Sequence, residues 1–193
     1  MAENAKDKDI SQATEPGRRR FRIALSFAGE KRDYVAAIAN NLTTRFNQSE
    51  ILYDKFHVAE FARPDLGIYL PKLYGEQSDL IVPILCANYD AKRWTGWEWL
   101  HIYGLITKGD VHRVMPCRFD HALADGLSPA AGFVELDDKT PEEAATHILE
   151  RLALNEGKAK DHYTRPPSNE NAGPRTSIRH NLPALQPDRK SVV

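Results

Sequence analysis

Glu98 stands among all three tryptophans of the chain, within the stretch Arg93 to Ile106. It follows Trp94 by four residues and Trp97 by one, and Trp99 comes directly after it. A carboxylate among indole rings is poorly solvated when it is ionised, so its surroundings can tune its pKa and its hydrogen bonding. Such a carboxylate can serve as an acid, a base or a stabiliser of positive charge.

The same residues also have a purely structural interpretation. Thr95-x-x-Glu98 ahead of an apolar run is a capping box, in which Thr95 accepts a hydrogen bond from the third helical N–H and Glu98 accepts one from the Thr95 N–H. This interpretation begins a helix at Thr95 and ends it near Thr107. The local motif does not decide between the two, so the elements that hold Glu98 must do so.

The size and cysteine content of the chain favour one ordinary intracellular domain with tails. The chain has 193 residues, which is enough to bury a substantial core. Its two cysteines, Cys86 and Cys117, lack CxxC spacing, which argues against a disulfide framework or a cysteine-based zinc site. Residues 1–20 have no apolar signal-peptide core, and no run reaches the roughly 18–20 apolar residues of a membrane span. We therefore predict a cytoplasmic protein.

Charge is distributed unevenly along the chain. Residues 21–156 carry 14 Lys/Arg against 20 Asp/Glu, a net charge of −6, whereas residues 157–193 carry +4. A net-negative central part is unlike a nucleic-acid-binding surface, which normally presents a basic patch. Polar composition predicts a disordered segment over residues 1–18, and five prolines predict a mostly disordered tail over residues 157–193. The folded domain is predicted over residues 19–156.

Apolar periodicity predicts alternating strands and helices within that domain. The predicted strands are residues 21–28, 50–54, 79–86, 111–117 and 132–136, and the predicted helices are residues 31–46, 65–74, 95–107 and 140–154. Pro71 should shorten or kink the second helix, and Pro83 should introduce a bulge in the third strand, which is otherwise apolar enough to be central. Thr140, Pro141 and the acids that follow are a strong helix start.

This alternation predicts an α/β fold: a flavodoxin-like five-stranded parallel sheet in the order 2-1-3-4-5, covered by helices on both faces. Ligands of such sheets bind at the carboxyl ends of the strands, where the strand order reverses between strands 1 and 3. The loop after strand 1 begins at Ala28, and the loop after strand 3 leads to Glu98. The predicted fold thus brings the two together and favours a functional role for Glu98.

Two motifs resemble those of the Toll/interleukin-1 receptor (TIR) domains, particularly the bacterial members that cleave NAD. Residues 22–33, with Ser26 and Phe27 ending an apolar strand and Asp33 opening a helix, resemble the first box of the family. Residues 79–98, ending in Trp94-x-x-Trp97-Glu98, resemble its third strand and the helix that bears its catalytic glutamate. The resemblance covers roughly residues 20–155.

Two departures from the family pattern concern interaction motifs. The second box of receptor and adaptor members is only loosely echoed by Arg63-Pro64-Asp65-Leu66-Gly67, and no clear Phe-Trp third box stands near the last helix. Both departures weaken an adaptor role, and neither affects Glu98.

The resemblance implies an NAD+ glycohydrolase, a hydrolase that releases nicotinamide and forms ADP-ribose or a cyclic isomer. Glu98 would then be catalytic, Trp94 could stack on nicotinamide, and Trp97 would flank the site. The other residues predicted to bind substrate are those at the ends of strands 1 and 2 and one loop arginine: Ser26, Phe27, Ala28, Asp54 and Arg63.

Each of these residues also has a structural interpretation. Trp94, Trp97 and Phe27 can be core residues, Asp54 a turn residue and Arg63 a solvated loop charge. His101, one turn after Glu98, can be a supporting residue or a plain helix residue.

No cofactor or metal is expected, because NAD+ is the substrate and the chain has neither metal-ligand spacing nor a glycine-rich phosphate loop. The expected partners are NAD+, further copies of the domain upon activation, and a separate sensor or effector protein in antiviral defence or signalling. No membrane is expected as a partner, and direct nucleic-acid binding is not expected.

Two alternatives from other functional classes remain open at this point. One is a non-catalytic TIR module that only assembles with other TIR domains. The other is an enzyme like the nucleoside 2-deoxyribosyltransferases, which would use a carboxylate to form a covalent intermediate with a sugar.

Overall fold

The structure, a computed structural model, describes residues 18–87, 93–124, 126–128 and 130–165, and over residues 93–98 it describes the helical backbone alone. The elements in chain order are β1 (Phe21–Phe27), α1 (Arg32–Leu42), β2 (Ile51–Leu52), α2 (Val58–Phe61), α3 (Leu66–Gln77), β3 (Ser78–Leu85), α4 (Arg93–Thr107), β4 (Cys117–Arg118), β5 (Val134–Glu135) and α5 (Pro141–Asn155). Of the segments predicted to be disordered, 1–18 and 157–193, residues 1–17 and 166–193 lie outside the described residues.

The five strands form one sheet in the order β2-β1-β3-β4-β5, and every neighbouring pair is parallel. The predicted fold class and strand order are therefore confirmed. From β1 the chain first moves to β2 on one side and then returns to β3 on the other, so the strand order reverses between β1 and β3. This is where sheets of this kind bind ligands at the carboxyl ends of the strands, here called the carboxyl edge.

The helices cover both faces of the sheet. Helix α1 packs against α5, and α3 packs against α4. Because parallel crossovers are right-handed, the reversal between β1 and β3 puts these two pairs on opposite faces. The central strands are accordingly almost fully buried: Ile23 of β1 and Leu80 and Ile81 of β3 are 0% exposed.

Pro83 produces no bulge in β3, so that prediction was wrong. Each paired residue of β3 lies a constant 57 positions beyond its partner in β1, from Phe21↔Ser78 to Phe27↔Ile84. Met115 N donates to Ile81 O and Phe119 N donates to Leu85 O, so Pro83 lies between two carbonyls that face the β4 side. The proline is tolerated because regular pairing is interrupted on that side between Val114 and β4.

The strands on either side of the sheet centre are shorter than predicted. Of predicted residues 111–117, Val111–Arg113 form a 3-10 turn, Val114 makes an isolated bridge, and only Cys117–Arg118 form β4. Strand β2 contains only Ile51–Leu52, because both ends of the predicted strand belong to 3-10 turns, at Gln48–Glu50 and at Asp54–Phe56. Because these outer strands are so short, the long pairing of β1 with β3 sets the register of the sheet.

Helix α3 continues through Pro71 for 12 residues and is not short. The proline removes the hydrogen bond to the carbonyl of Gly67, but its own ring is buried together with Leu70, Leu73 and Tyr74. Burial of that apolar face outweighs the lost hydrogen bond. The segment before α3, predicted to be irregular, contains the single-turn helix α2.

The two predicted helix starts have different outcomes. Helix α4 already includes Arg93 and Trp94, so Thr95 is a helical residue and the capping-box interpretation of Thr95 and Glu98 was wrong. At α5 the prediction is confirmed. Glu143 N donates to Thr140 Oγ1 at 3.3 Å, and Thr140 N donates to Glu143 Oε2 at 2.8 Å.

Residues 156–165 fold back against the amino ends of β1 and β3. The Arg22 guanidinium contacts the carboxylates of Asp79 and Glu156, and Tyr163 packs edge-on against Phe46 with ring centroids 5.1 Å apart. The predicted domain boundary at 156/157 stays a prediction. Within the described parts of the chain, no helix is long and apolar enough to cross a bilayer.

Candidate active site

The end of β1 supplies three of the predicted site residues. Ser26 and Ala28 are 1% exposed, whereas Phe27 is half-buried. The Phe27 ring lies 5.9 Å from the ring of Tyr53, which directly follows β2, and the Arg32 guanidinium lies 5.2 Å from the centroid of the Phe27 ring. Phe27 is therefore the member of this trio with exposed surface at the carboxyl edge.

Asp54 follows β2 at the same edge and is joined to Arg32. Arg32 Nη1 donates to both carboxylate oxygens, at 2.9 and 2.8 Å. Burial disfavours the charge on Arg32, but the hydrogen bond and charge of Asp54 outweigh burial and raise the pKa of the guanidinium. Burial, followed by the charge of Asp54, raises the pKa of Tyr53. The structure thus brings Asp54 together with Phe27, as the predicted site requires.

A second group of side chains extends this edge towards β4, and the sequence-based prediction did not include it. Lys31 Nζ lies 3.9 Å from the centroid of the Phe119 ring, and the Tyr34 ring meets Phe119 edge-on at 5.1 Å. Tyr34 donates its hydroxyl hydrogen bond to Lys139 O at 2.8 Å. Burial raises the pKa of Tyr34 to about 12, so this donor stays protonated near neutral pH.

The backbone after Phe119 is held in an uncommon conformation. Asp120 and His121 have φ angles of 55° and 52°, which non-glycine residues adopt at a cost of roughly 1–3 kcal/mol each. The Asp120 N–H donates to the carboxylate of Asp137 at 3.0 Å, which helps to fix the turn. Such pairs of left-handed residues concentrate at functional sites, and this pair lies at the carboxyl edge.

Helix α4 begins at this edge and carries the predicted catalytic residue in its second turn. Position 98 lies one turn before Ile102, which is 0% exposed, and seven residues before Leu105, which is 9% exposed. It therefore belongs to the stripe of α4 that packs inwards. Position 94 lies one turn earlier on the same stripe.

Position 97 lies on a different stripe of the helix. Three and four residues after it stand Leu100, which is 61% exposed, and His101, which is also exposed. The helical register therefore groups Trp94 with Glu98 and places Trp97 on the outward side. The side chains of positions 93–98 and the loop 88–92 lie outside the described part of the structure.

Comparison with known proteins finds a similar curated protein. No family model matches the chain. The curated protein 3′ cyclic ADP-D-ribose synthase AaTIR from Aquimarina amphilecti is 30% identical over 145 residues, which are 75% of this chain and 44% of that protein. This match, the strand order and the two sequence boxes agree. The domain belongs to the TIR family. The chain spans less than half the length of the relative it matches.

Arg63 of this TIR domain is not brought to the carboxyl edge. It donates to the Asp65 carboxylate at 2.5 and 3.1 Å, and its guanidinium lies 3.6 Å from the Tyr69 ring. The Tyr69 hydroxyl donates to Glu60, which also pairs with Arg20, the residue directly before β1. These contacts group Arg63 with the amino end of β1, whereas Ser26–Ala28 lie at its carboxyl end.

At the carboxyl edge of the TIR domain, aromatic side chains and cations therefore lie on one side, and helix α4 begins on the other. Lys31 ends the short 3-10 turn that follows β1, so its position in the chain marked it as a residue of this edge. Phe119 and Tyr34 could not be found in this way. The contact between Phe119 and Tyr34 depends on the register of β4 against β3 and on the packing of α1 beside Phe119.

Proposed function

We propose that this TIR domain cleaves the bond between nicotinamide and ribose in NAD+, with Glu98 as the catalytic residue. The observation that carries the proposal is the place of position 98: on the inward stripe of α4, where that helix begins beside the carboxyl ends of β1 and β3. The name of the similar protein, a cyclic ADP-ribose synthase, supports the substrate class. The resemblance of residues 79–98 to the third strand and the glutamate-bearing helix of the family supports the choice of Glu98.

The chemistry requires little more than a well-placed carboxylate. The bond from ribose C1′ to the nicotinamide nitrogen breaks, and its electron pair goes to that nitrogen, which neutralises the pyridinium ring. Nicotinamide leaves as a neutral molecule, so no general acid is needed. The positive charge that develops on the ribose is stabilised by an anionic carboxylate close to it, the role we assign to Glu98.

The second half of the reaction decides the product. If water attacks C1′, it loses a proton and ADP-ribose forms. If a hydroxyl group of the substrate itself attacks, the proton is lost from that hydroxyl and a cyclic isomer forms. We propose that Phe27 and Trp94 provide aromatic surface beside the nicotinamide ribose and limit the access of water. We assign Ser26 and Ala28 to the floor of the site, and Asp54 to its margin.

The remaining sequence-based expectations extend this proposal. We expect activity to rise when copies of the domain associate, and we expect a separate sensor or effector protein in antiviral defence or signalling. Trp97 lies on the outward side of α4, so we place it at the entrance of the site. Arg63, predicted to bind substrate, can reach it only if substrate binding moves the side chain from its present partners.

Measurement of nicotinamide release tests the proposal. Purified protein is incubated with NAD+ at low and high protein concentration, with and without a crowding agent, and nicotinamide and ADP-ribose isomers are separated by chromatography. Glu98→Gln is expected to lower the rate by at least ~100-fold, because it removes the charge that stabilises the oxocarbenium-like transition state. Glu76→Gln, which alters an exposed glutamate on α3, is the matched control and should retain full activity.

Release by Glu98→Gln at the wild-type rate would exclude the catalytic assignment. Absence of release from the wild-type protein under every associating condition would favour the non-catalytic module. Exchange of nucleobases on deoxynucleosides, with NAD+ left intact, would favour the deoxyribosyltransferase-like alternative.

A further inference from the structure

Lys31 spans the carboxyl edge of the sheet across the end of β3. It follows β1, yet its ammonium group lies 3.9 Å from the ring centroid of Phe119, which follows β4. The Phe119 N–H in turn donates to Leu85 O, the last residue of β3, at 2.9 Å. Because β3 lies between β1 and β4, the Lys31 side chain reaches from the end of β1 past the end of β3 to the β4 side of the carboxyl edge.

The two cations after β1 differ in how far their charge is compensated. Arg32 makes hydrogen bonds of 2.8 and 2.9 Å to the Asp54 carboxylate. Lys31 is 3.9 Å from Asp120, whose side chain is 52% exposed, and that separation is too long for a hydrogen bond. The ammonium group also contacts the face of the Phe119 ring, which attracts a cation but does not neutralise it.

The surroundings of Lys31 are built before any ligand arrives. Tyr34 holds the Phe119 ring from the side, and its hydroxyl is anchored on Lys139 O. The left-handed turn at Asp120 and His121 is fastened to Asp137. The aromatic platform under the ammonium group is thus set by two separate elements, while the flexible lysine stem leaves the ammonium group free to turn towards an anion.

We propose that Lys31 binds the diphosphate of the dinucleotide substrate. This inference rests on the proposed function and adds a substrate-contacting residue to it. With the nicotinamide ribose at Glu98 on the α4 side, the next part of the substrate carries two negative charges. Residues 21–156 have a net charge of −6, so a local cation is needed to attract that anion. Among the described residues, Lys31 is the cation whose side chain crosses the carboxyl edge from the end of β1 to the β4 side.

Binding measured in the Glu98→Gln background tests this role without turnover. Isothermal titration with NAD+ and with ADP-ribose is expected to give a Kd about 10- to 100-fold higher when Lys31→Gln is added, the usual size of a charge-assisted contact. Lys31→Arg should restore most of the affinity. Lys139→Gln, at the same edge but beside Asp138, is the matched control and should leave the Kd unchanged.

Two further arms separate a diphosphate contact from a general structural role. Asp120→Asn is expected to lower the Kd about threefold, because it removes the only anion recorded within 4 Å of the Lys31 ammonium group among the described residues. In the otherwise wild-type protein, Lys31→Gln should lower kcat/KM for NAD+ mainly through KM. It should leave the cleavage of nicotinamide riboside, which has no phosphate, unaffected.

Equal Kd values for Glu98→Gln with and without Lys31→Gln would overturn the assignment, as would a wild-type-like salt dependence of binding in the Lys31 variant. Failure of NAD+ and ADP-ribose to bind at millimolar concentration would overturn it together with the proposed function. If both ligands bind through Lys31 but nicotinamide is never released, the binding assignment stands and the catalytic proposal fails.

Discussion

Single charged residues have different partners at the two edges of the sheet. At the opposite edge, where the amino ends of the strands lie and which is here called the amino edge, Arg22 is 7% exposed. It lies between the carboxylates of Asp79 and Glu156. A buried ion pair adds little net stability, but removal of one partner is strongly destabilising because it leaves a buried charge without compensation. At the carboxyl edge, Arg32 and Lys31 keep exposed surface and so remain accessible to a ligand.

The pH dependence of stability tests the ion pair of Glu60 with Arg20 at the amino edge. The hydrogen bonds from Arg20 lower the pKa of Glu60 from 4.5 to about 2, with Tyr69 and the nearby His57 adding to the effect. Because the folded pKa is below the unfolded one, the stabilisation is complete above about pH 4.5. It is lost as the pH falls towards 2.

We therefore expect the stability difference between wild type and Glu60→Gln to shrink by about 1 kcal/mol between pH 5 and pH 3, after allowance for solvent screening. Urea unfolding followed by circular dichroism at each pH measures it. Asp161→Asn, at an exposed carboxylate paired with Arg165, is the matched control and should show little pH-dependent difference. A difference that stays constant across this range for Glu60 would contradict its lowered pKa.

Among the described elements, the connection from β4 to β5 makes close contact with α4. Gly126 has a φ of 87°, and a Cβ at this position would lie 2.8 Å from two ring carbons of Tyr103. The Tyr103 ring lies 6.3 Å from that of Trp99, which is 4% exposed. Glycine is required here both by the backbone angle and by the close approach to α4.

Gly126→Ala is accordingly expected to lower the free energy of unfolding by about 2–3 kcal/mol. Gly157→Ala is the matched control, because Gly157 has a φ of 68° but open space around it, so only the backbone cost of about 1 kcal/mol applies. Urea denaturation of both variants measures the difference. Equal losses would show that the Tyr103 contact does not restrict this loop.

For the molecule as a whole, contacts beyond α5 join Tyr163 to the amino ends of the strands. Tyr163 donates to Glu156 at 2.5 Å and accepts from Arg22 at 3.2 Å, while its ring packs on Phe46. The composition of the segment from residue 157 onwards predicted disorder. Composition cannot reveal that one tyrosine in a polar segment fits a particular site at the amino edge.

Two truncations define this boundary. A chain that ends after Arg165 is expected to unfold at the same temperature as the full chain. A chain that ends after Gly157 should lose about 2 kcal/mol of stability, because the aromatic contact and hydrogen bonds of Tyr163 are removed. Differential scanning calorimetry of the three chains measures both effects. An unchanged melting temperature after the truncation at Gly157 would show that the contacts of Tyr163 do not stabilise the folded domain and would support the predicted boundary at residue 156.

Local patterns in the sequence were sufficient for the fold class and for parts of the site. The apolar run of β3, the helical spacing in α1 and the cap at Thr140 act over a few residues, so they can be recognised without tertiary information. Alternation of strands and helices then predicted the parallel sheet and its reversal between β1 and β3. The same reasoning brought Phe27, Asp54 and the start of α4 to one edge.

Only the tertiary structure decided which residues meet across that edge. The register of β4 on β3 puts Phe119 under Lys31, and the folding of residues 58–69 puts Arg63 near the amino end of β1. The interruption beside Pro83 removes the need for a bulge. These outcomes depend on contacts between residues far apart in the chain, and such contacts are decided by packing of the whole sheet rather than by local propensity.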